Sequence, residues 1–227
     1  MAPKRQLWSV EGIPGSGKSI TAERLNDDCA SRRQAARWWL EELRDHPVVP
    51  AALRGAAAEP DFPNRCLEVF RAFLTREDGV LILDGAAMQS TIRFMFANRR
   101  EVEEIADYFD RWSVLVEPMA PRLVFLDIDD PERHYLDFLI PLRGAEWTDK
   151  LVRYVEGTPV ARANAWQGID GLIRFWSAYQ DLCREMLSRF PAPVLVFPAD
   201  PSRDNGLDPA IHEFFGLGPL VSPESVD

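Results

Sequence analysis

Lysine is scarce in this chain of 227 residues: of its 26 basic side chains only Lys4, Lys18 and Lys150 are lysines. The position of each one therefore carries information. Cysteine and histidine are as sparse, with Cys29, Cys66 and Cys183 far apart and His46, His134 and His212 equally scattered. No Cys-x-x-Cys pair and no zinc-ligand spacing arises, so the reading is reduced, buried thiols in a cytoplasmic protein. No apolar run approaches the roughly 18 residues of a membrane span. An excess of positive charge is missing too, since 36 acidic residues against 26 basic ones give a net charge of -10. Such a surface repels phosphate backbones and anionic lipids at long range, which argues against nucleic-acid and membrane partners.

What is present is an ordinary globular composition, 46% hydrophobic and 27% charged. A chain of this length buries about 70% of its unfolded surface, so it needs no metal or disulfide to be stable. One domain over 1–218 is expected, with 219–227 as a flexible tail and with a homodimer left open. Short apolar runs at 6–11, 80–84, 122–128 and within 193–198 read as strands, and a weaker fifth strand is expected around Val48-Val49. Helical patterns separate them: after Ser19, over 31–44 with Trp38 and Trp39, over 65–76, 87–98, 101–113 and 131–142, and most clearly over 168–190. Continuous apolar strands alternating with helices predict a parallel sheet of about five strands covered on both faces. The segment 46–64 reads as an irregular connection, and 143–167, with two glycines and a proline, shows no clean period.

Gly12-Ile13-Pro14-Gly15-Ser16-Gly17-Lys18-Ser19 fits G-x-x-x-x-G-K-[ST] without a gap, between a strand and a helix. Chance produces that match in a chain this long on the order of once in a hundred or less. Glycines let backbone N–H groups turn inward around a phosphate at the positive end of a helix. Lys18 then reaches the β/γ-phosphates, and Ser19 places its hydroxyl on Mg²⁺. Residues 12–20, Ile20 included, form the expected ATP-binding stretch. Asp84 ends an apolar strand as a Walker B carboxylate does, so it faces the same sheet edge as the loop and is expected to serve the metal or the reaction. Asp127 ends the next strand in the same way. Glu11, just before the loop, either orders water on the metal or caps the turn.

SVEGIPGSGKS resembles the opening of thymidylate kinase and its deoxynucleoside kinase relatives. LILDG is similar to their strand ending in a catalytic aspartate, and LVFLDIDDPERHYLDFL to their penultimate strand and the helix leading into the lid. The resemblance implies a three-layer P-loop kinase fold in which Lys18 and Ser19 bind Mg-ATP, Asp84 is the acceptor-side base and 143–167 is a lid. The departures are specific. No arginine follows Asp84, no Arg-Glu-Pro-Gly loop follows the first helix, and the thymine-holding Ser, Tyr and Gln are not kept in AAMQSTIRF. Thymidine monophosphate is a poor substrate guess.

Cations in a closing lid neutralise charge on a transferred phosphoryl group, which makes Arg143 and Arg153, with Lys150 and Arg162 behind them, the candidates there. The acceptor candidates are Trp38, Asp61, Arg65, Gln89 and Arg93, with Trp39 and Asp107 in the same segments. The expected activity is an ATP-dependent phosphotransferase acting on a hydroxyl of a small molecule, nucleoside-like or a natural product. The alternative is a nucleotide-dependent regulatory or assembly ATPase.

Overall fold

The computed structural model describes residues 5–41, 46–200 and 208–218, so Lys4 and the expected tail at 219–227 lie outside the described residues. Five strands, β1 Gln6–Gly12, β2 Ala36–Trp39, β3 Val80–Asp84, β4 Arg122–Asp127 and β5 Val194–Pro198, form one sheet in the order β2-β3-β1-β4-β5. Every pairing is parallel. Helices α1 Lys18–Ser31, α2 Ala51–Arg54 and α3 Phe62–Leu74 precede β3. Between β3 and β4 lie a π-helical turn, Ala87–Ile92, then α4 Arg93–Ala97 and α5 Val102–Val116. Between β4 and β5 come α6 Pro131–Arg133, a second π-turn, His134–Leu139, α7 Ile140–Glu156, α8 Pro159–Ala163 and α9 Gly168–Leu187. The short α10, Pro209–Phe214, is the last described element.

Alternation along the strands creates the layers. Leu7, Leu81, Leu83, Leu123 and Phe125 face a core shared with α3, α5 and α9. Trp8, Val10, Ile82, Val124 and Leu126 face the opposite way, onto α1 and the segment around α10. β3 is buried at all five positions, its four apolar residues and Asp84 alike, as a strand covered on both faces must be. On the larger side Phe109 and Phe70 lie parallel to Trp112, with ring centroids 5.8 and 6.2 Å from it. Each such fully buried ring contributes about 1.5–3 kcal/mol by leaving water. On the smaller side His212 fastens the α10 segment to α1: Nε2 lies 2.9 Å from Asp28 Oδ2, and Nδ1 lies 2.6 Å from the Gly218 carbonyl. All three cysteines are free and buried, and burial pushes the Cys29 and Cys66 thiols up to about 11 and about 12. No described helix is long and apolar enough to cross a membrane.

Three expectations are corrected. The helix expected over 31–44 does not form at 32–41, and 42–44 lie outside the described residues. α1 ends at Ser31, Arg33 turns the chain with a φ of 56°, and residues 36–39 become β2, paired from Ala36↔Val80 to Trp39↔Leu83. Adjacent tryptophans suit a pleated strand, where they point to opposite faces. Trp38 packs on the α1 side, and Trp39 meets Phe73 edge-on at 5.1 Å on the other. β2 is thus the fifth strand, whereas Val48 and Val49 are buried in a bend. Finally, 143–167 is helical over most of its length. Gly144, with φ 78° and ψ 175°, breaks α7 once, and beyond it Trp147, Leu151 and Val155 keep a helical spacing against the core.

Candidate active site

In a parallel sheet all strand C-termini share one edge, and the motif residues collect there. β1 runs out at Gly12, whose φ is 148°. A Cβ at this position would stand 2.5 Å from Ser16 Oγ and 2.7 Å from the Leu126 carbonyl, so only glycine lets the loop leave between β1 and β4. The loop then turns into α1 at Gly17, and no side chain caps that helix. Its first N–H groups therefore remain available to an anion, with the helix dipole behind them. Outside the loop, His134 Nε2 lies 3.3 Å from the Pro14 carbonyl, which ties the second π-turn to the loop backbone.

A cavity of about 410 Å³ opens over this loop, lined by residues 15–21 together with Leu126, Phe138, Leu142, Arg143 and Phe197. It joins an anion-binding floor to walls that are part apolar and part charged, with Arg24, Arg143, Asp200 and Asp208 among their residues. That combination suits a nucleoside triphosphate. Arg153 does not line the cavity; it lies exposed in the last turn of α7. Lys150 and Arg162 are exposed as well.

On the other side of the loop stands Asp84, with no exposure. Ser19 donates its hydroxyl to Asp84 Oδ2 at 2.6 Å, whereas Oδ1 is buried without a partner. Burial raises the Asp84 pKa above the ordinary carboxylate value, opposed chiefly by Lys18 and by the Ser19 hydroxyl. Lys18 itself is almost fully buried, with Nζ 3.5 Å from the Ile13 carbonyl and 3.8 Å from Glu41 Oε2. Arg93 reaches the same carboxylate from beyond, Nη2 to Glu41 Oε1 at 3.4 Å. It also donates Nε to the Gln89 carbonyl at 2.9 Å and Nη1 to the Tyr154 hydroxyl at 3.5 Å. Glu41 is hidden from the sequence reading by the helical pattern over 31–44. Once 36–39 is a strand, Glu41 stands just past its C-terminal end, the same kind of position as Asp84.

The remaining candidates divide clearly. Gln89 sits one helical turn before Arg93, buried, with its Oε1 unpartnered. Asp61 and Arg65 lie at the start of α3, where Asp61 accepts from Asn64 at 2.8 Å and Arg65 pairs with Glu59 at 2.8 Å. Trp38 is packed on the α1 face. Asp107 lies exposed on α5 in an ion pair with Arg111 at 3.4 Å. Asp127 accepts a fork from Arg184, Nε at 2.9 Å and Nη2 at 3.1 Å, which engages both of its oxygens. Glu11 resolves as a cap: it accepts from the Met88 and Gln89 N–H groups at 3.3 and 3.1 Å and from Ser9 Oγ at 3.1 Å, so it holds the first π-turn. Desolvation raises its pKa to about 7 despite those bonds.

The strand order, the loop and the two helical layers define a P-loop α/β sandwich. No protein-family model matches the chain, and no curated protein does. Among solved structures it is similar to deoxyadenosine kinase from M. mycoides with bound dATP, at 12% identity and a TM-score of 0.44, covering 92% of this chain and 98% of that one. The form of that enzyme with bound dCTP gives a TM-score of 0.47 at 12% identity and the same coverage. Thymidylate kinase from Candida albicans gives 0.47 at 15% identity, over 98% of this chain and 97% of that one. Likenesses this distant carry no functional argument.

Proposed function

We propose that the protein is an ATP-dependent phosphotransferase that delivers the γ-phosphoryl group to a hydroxyl of a small molecule, nucleoside-like or a natural product. The observation that carries this reading is the 2.6 Å contact between Ser19 and Asp84 at the mouth of an uncapped helix. A serine hydroxyl and a carboxylate with one unpartnered buried oxygen fit Mg²⁺, which takes few protein ligands and completes its shell with water and phosphate. When bound, Mg²⁺ would neutralise charge on the β- and γ-phosphates.

The chain's own residues supply the rest. Loop N–H groups and Lys18 hold the phosphates, and Arg143 covers them from the cavity rim. Gln89 and Arg93 lie on the acceptor side of Asp84. The Asp84 carboxylate accepts the proton of the attacking hydroxyl, and its raised pKa strengthens it as a base. Arg153 belongs to this scheme only if α7 moves inward about Gly144.

The test is ATP consumption across a metabolite panel, read by mass spectrometry with labelled ATP. Consumption should depend on one class of hydroxyl compound; consumption without any acceptor would favour the regulatory or assembly ATPase. Asp84→Asn should lower kcat by about a hundredfold or more, with Mg-ATP affinity changed far less. Near-normal kcat in that variant would move the base to Glu41, because Asp127 and Glu11 are fully engaged elsewhere.

A further inference from the structure

One carboxylate, Glu41, bridges the cation of the phosphate loop and the cation of the acceptor side. Its Oε2 lies 3.8 Å from Lys18 Nζ and its Oε1 lies 3.4 Å from Arg93 Nη2. Its side chain is 22% exposed and that of Lys18 only 7%, so this contact is poorly screened by water. Lys18 is also the residue that reaches the β/γ-phosphates in such a loop. A γ-phosphate and the Glu41 carboxylate therefore seek the same ammonium group. Arg93 is in turn held in place by the Gln89 carbonyl, Tyr154 and the face of the Phe94 ring, 4.8 Å from its guanidinium carbon. It cannot follow Glu41 far, and so it fixes where Glu41 can go.

We propose that Glu41 is a positioning residue that stands in for the γ-phosphoryl group on Lys18 while the site is free, and that Mg-ATP displaces it onto Arg93 alone. The inference rests on the reading that loop 12–19 binds ATP. It has three consequences. ATP binding is weakened by the contact it must break, and the loop lysine is kept extended and charge-compensated in a buried place until the nucleotide arrives. Displacement also leaves Glu41 wholly to Arg93 on the acceptor side, so nucleotide binding reorganises the place where the acceptor must lie. ADP has no γ-phosphate and competes with Glu41 less.

Calorimetric titration of Mg-ATP and Mg-ADP into the wild type, Glu41→Gln, Glu41→Asp and Arg93→Met separates the outcomes. Glu41→Gln should bind ATP roughly two- to tenfold more tightly, as expected for loss of one partly exposed competing charge, with ADP changed less. Arg93→Met should act in the opposite direction, because Glu41 then belongs to Lys18 alone and ATP must overcome a stronger pair. Glu41→Asp, with its shorter stem, should fall between wild type and the glutamine variant. Unchanged or weaker ATP binding by Glu41→Gln, or equal gains for ATP and ADP, overturns the proposal while leaving the P-loop reading intact. Wild-type protein that binds neither nucleotide overturns both. Circular dichroism on each variant keeps a folding defect from imitating any of these results.

Discussion

Glu11 shows what a single buried carboxylate costs and why it is nevertheless kept. It has no exposure, and three hydrogen bonds from Ser9, Met88 and Gln89 do not offset its desolvation, so its pKa stands at about 7. A carboxylate raised in the folded state favours folding when protonated. Its contribution is complete below the unfolded value near 4.5 and is lost as pH rises through about 7. Glu11→Gln keeps an acceptor for the π-turn without a charge to desolvate. The difference in urea-unfolding free energy between the two proteins should therefore shift in favour of the variant from pH 5 to pH 8, by about 3 kcal/mol at most. A pH-independent difference would show that Glu11 stays ionised throughout. In the phosphate loop, by contrast, nearly everything at this scale was legible in the sequence. The motif names its residues, and Gly12 is where it must be because a backbone carbonyl and Ser16 leave no room for a Cβ.

Strands and their end residues explain both the success and the main failure of the sequence reading. β1, β3, β4 and β5 announce themselves as apolar runs between breakers, and all four lie where they were expected. β2 does not, because Ala36-Arg37-Trp38-Trp39 at the sheet edge is too short and too mixed to show a period. Missing it hid Glu41, a carboxylate legible only once the strand is known. α7 was missed for a different reason: Gly144 interrupts a helix whose apolar spacing resumes at Trp147. Asp127 is the converse case, a strand-end carboxylate that looked functional and serves the fold by pairing with Arg184. Asp127→Asn should leave kcat unchanged and lower stability by about 1 kcal/mol in denaturant unfolding, small because the Arg184 side chain is 38% exposed. A loss of turnover without a loss of stability would return Asp127 to the reaction.

For the whole molecule, the question is which part moves when the cavity fills. α7 beyond Gly144 packs Trp147, Leu151 and Val155 against the main core, and α8 buries Val160 and Ala161. That does not describe a loose lid. Phe138, Leu142 and Arg143 line the cavity instead, just before the break at Gly144. Hydrogen exchange should accordingly show residues 147–161 protected with or without nucleotide, and a gain of protection at 138–143 on adding Mg-ATP. Strong ligand-dependent protection spread over the whole of 143–167 would restore the larger lid.

The two π-turns, Ala87–Ile92 and His134–Leu139, flank the phosphate loop from opposite directions, one held by Glu11 and the other tied to Pro14 through His134. A π-turn is in effect an α-helix with one residue inserted, and the insertion rephases everything that follows it. Deleting a single residue between Gln89 and Arg93 would let an ordinary helical turn close and would swing each later side chain by about 100° about the axis. Arg93 would leave Glu41, although no residue of the site had been altered. The same loss within 134–139 would carry Arg143 off the cavity rim. Length at these two places is therefore part of the candidate site, and a homologue one residue shorter at either would present Arg93 or Arg143 differently even with every site residue identical.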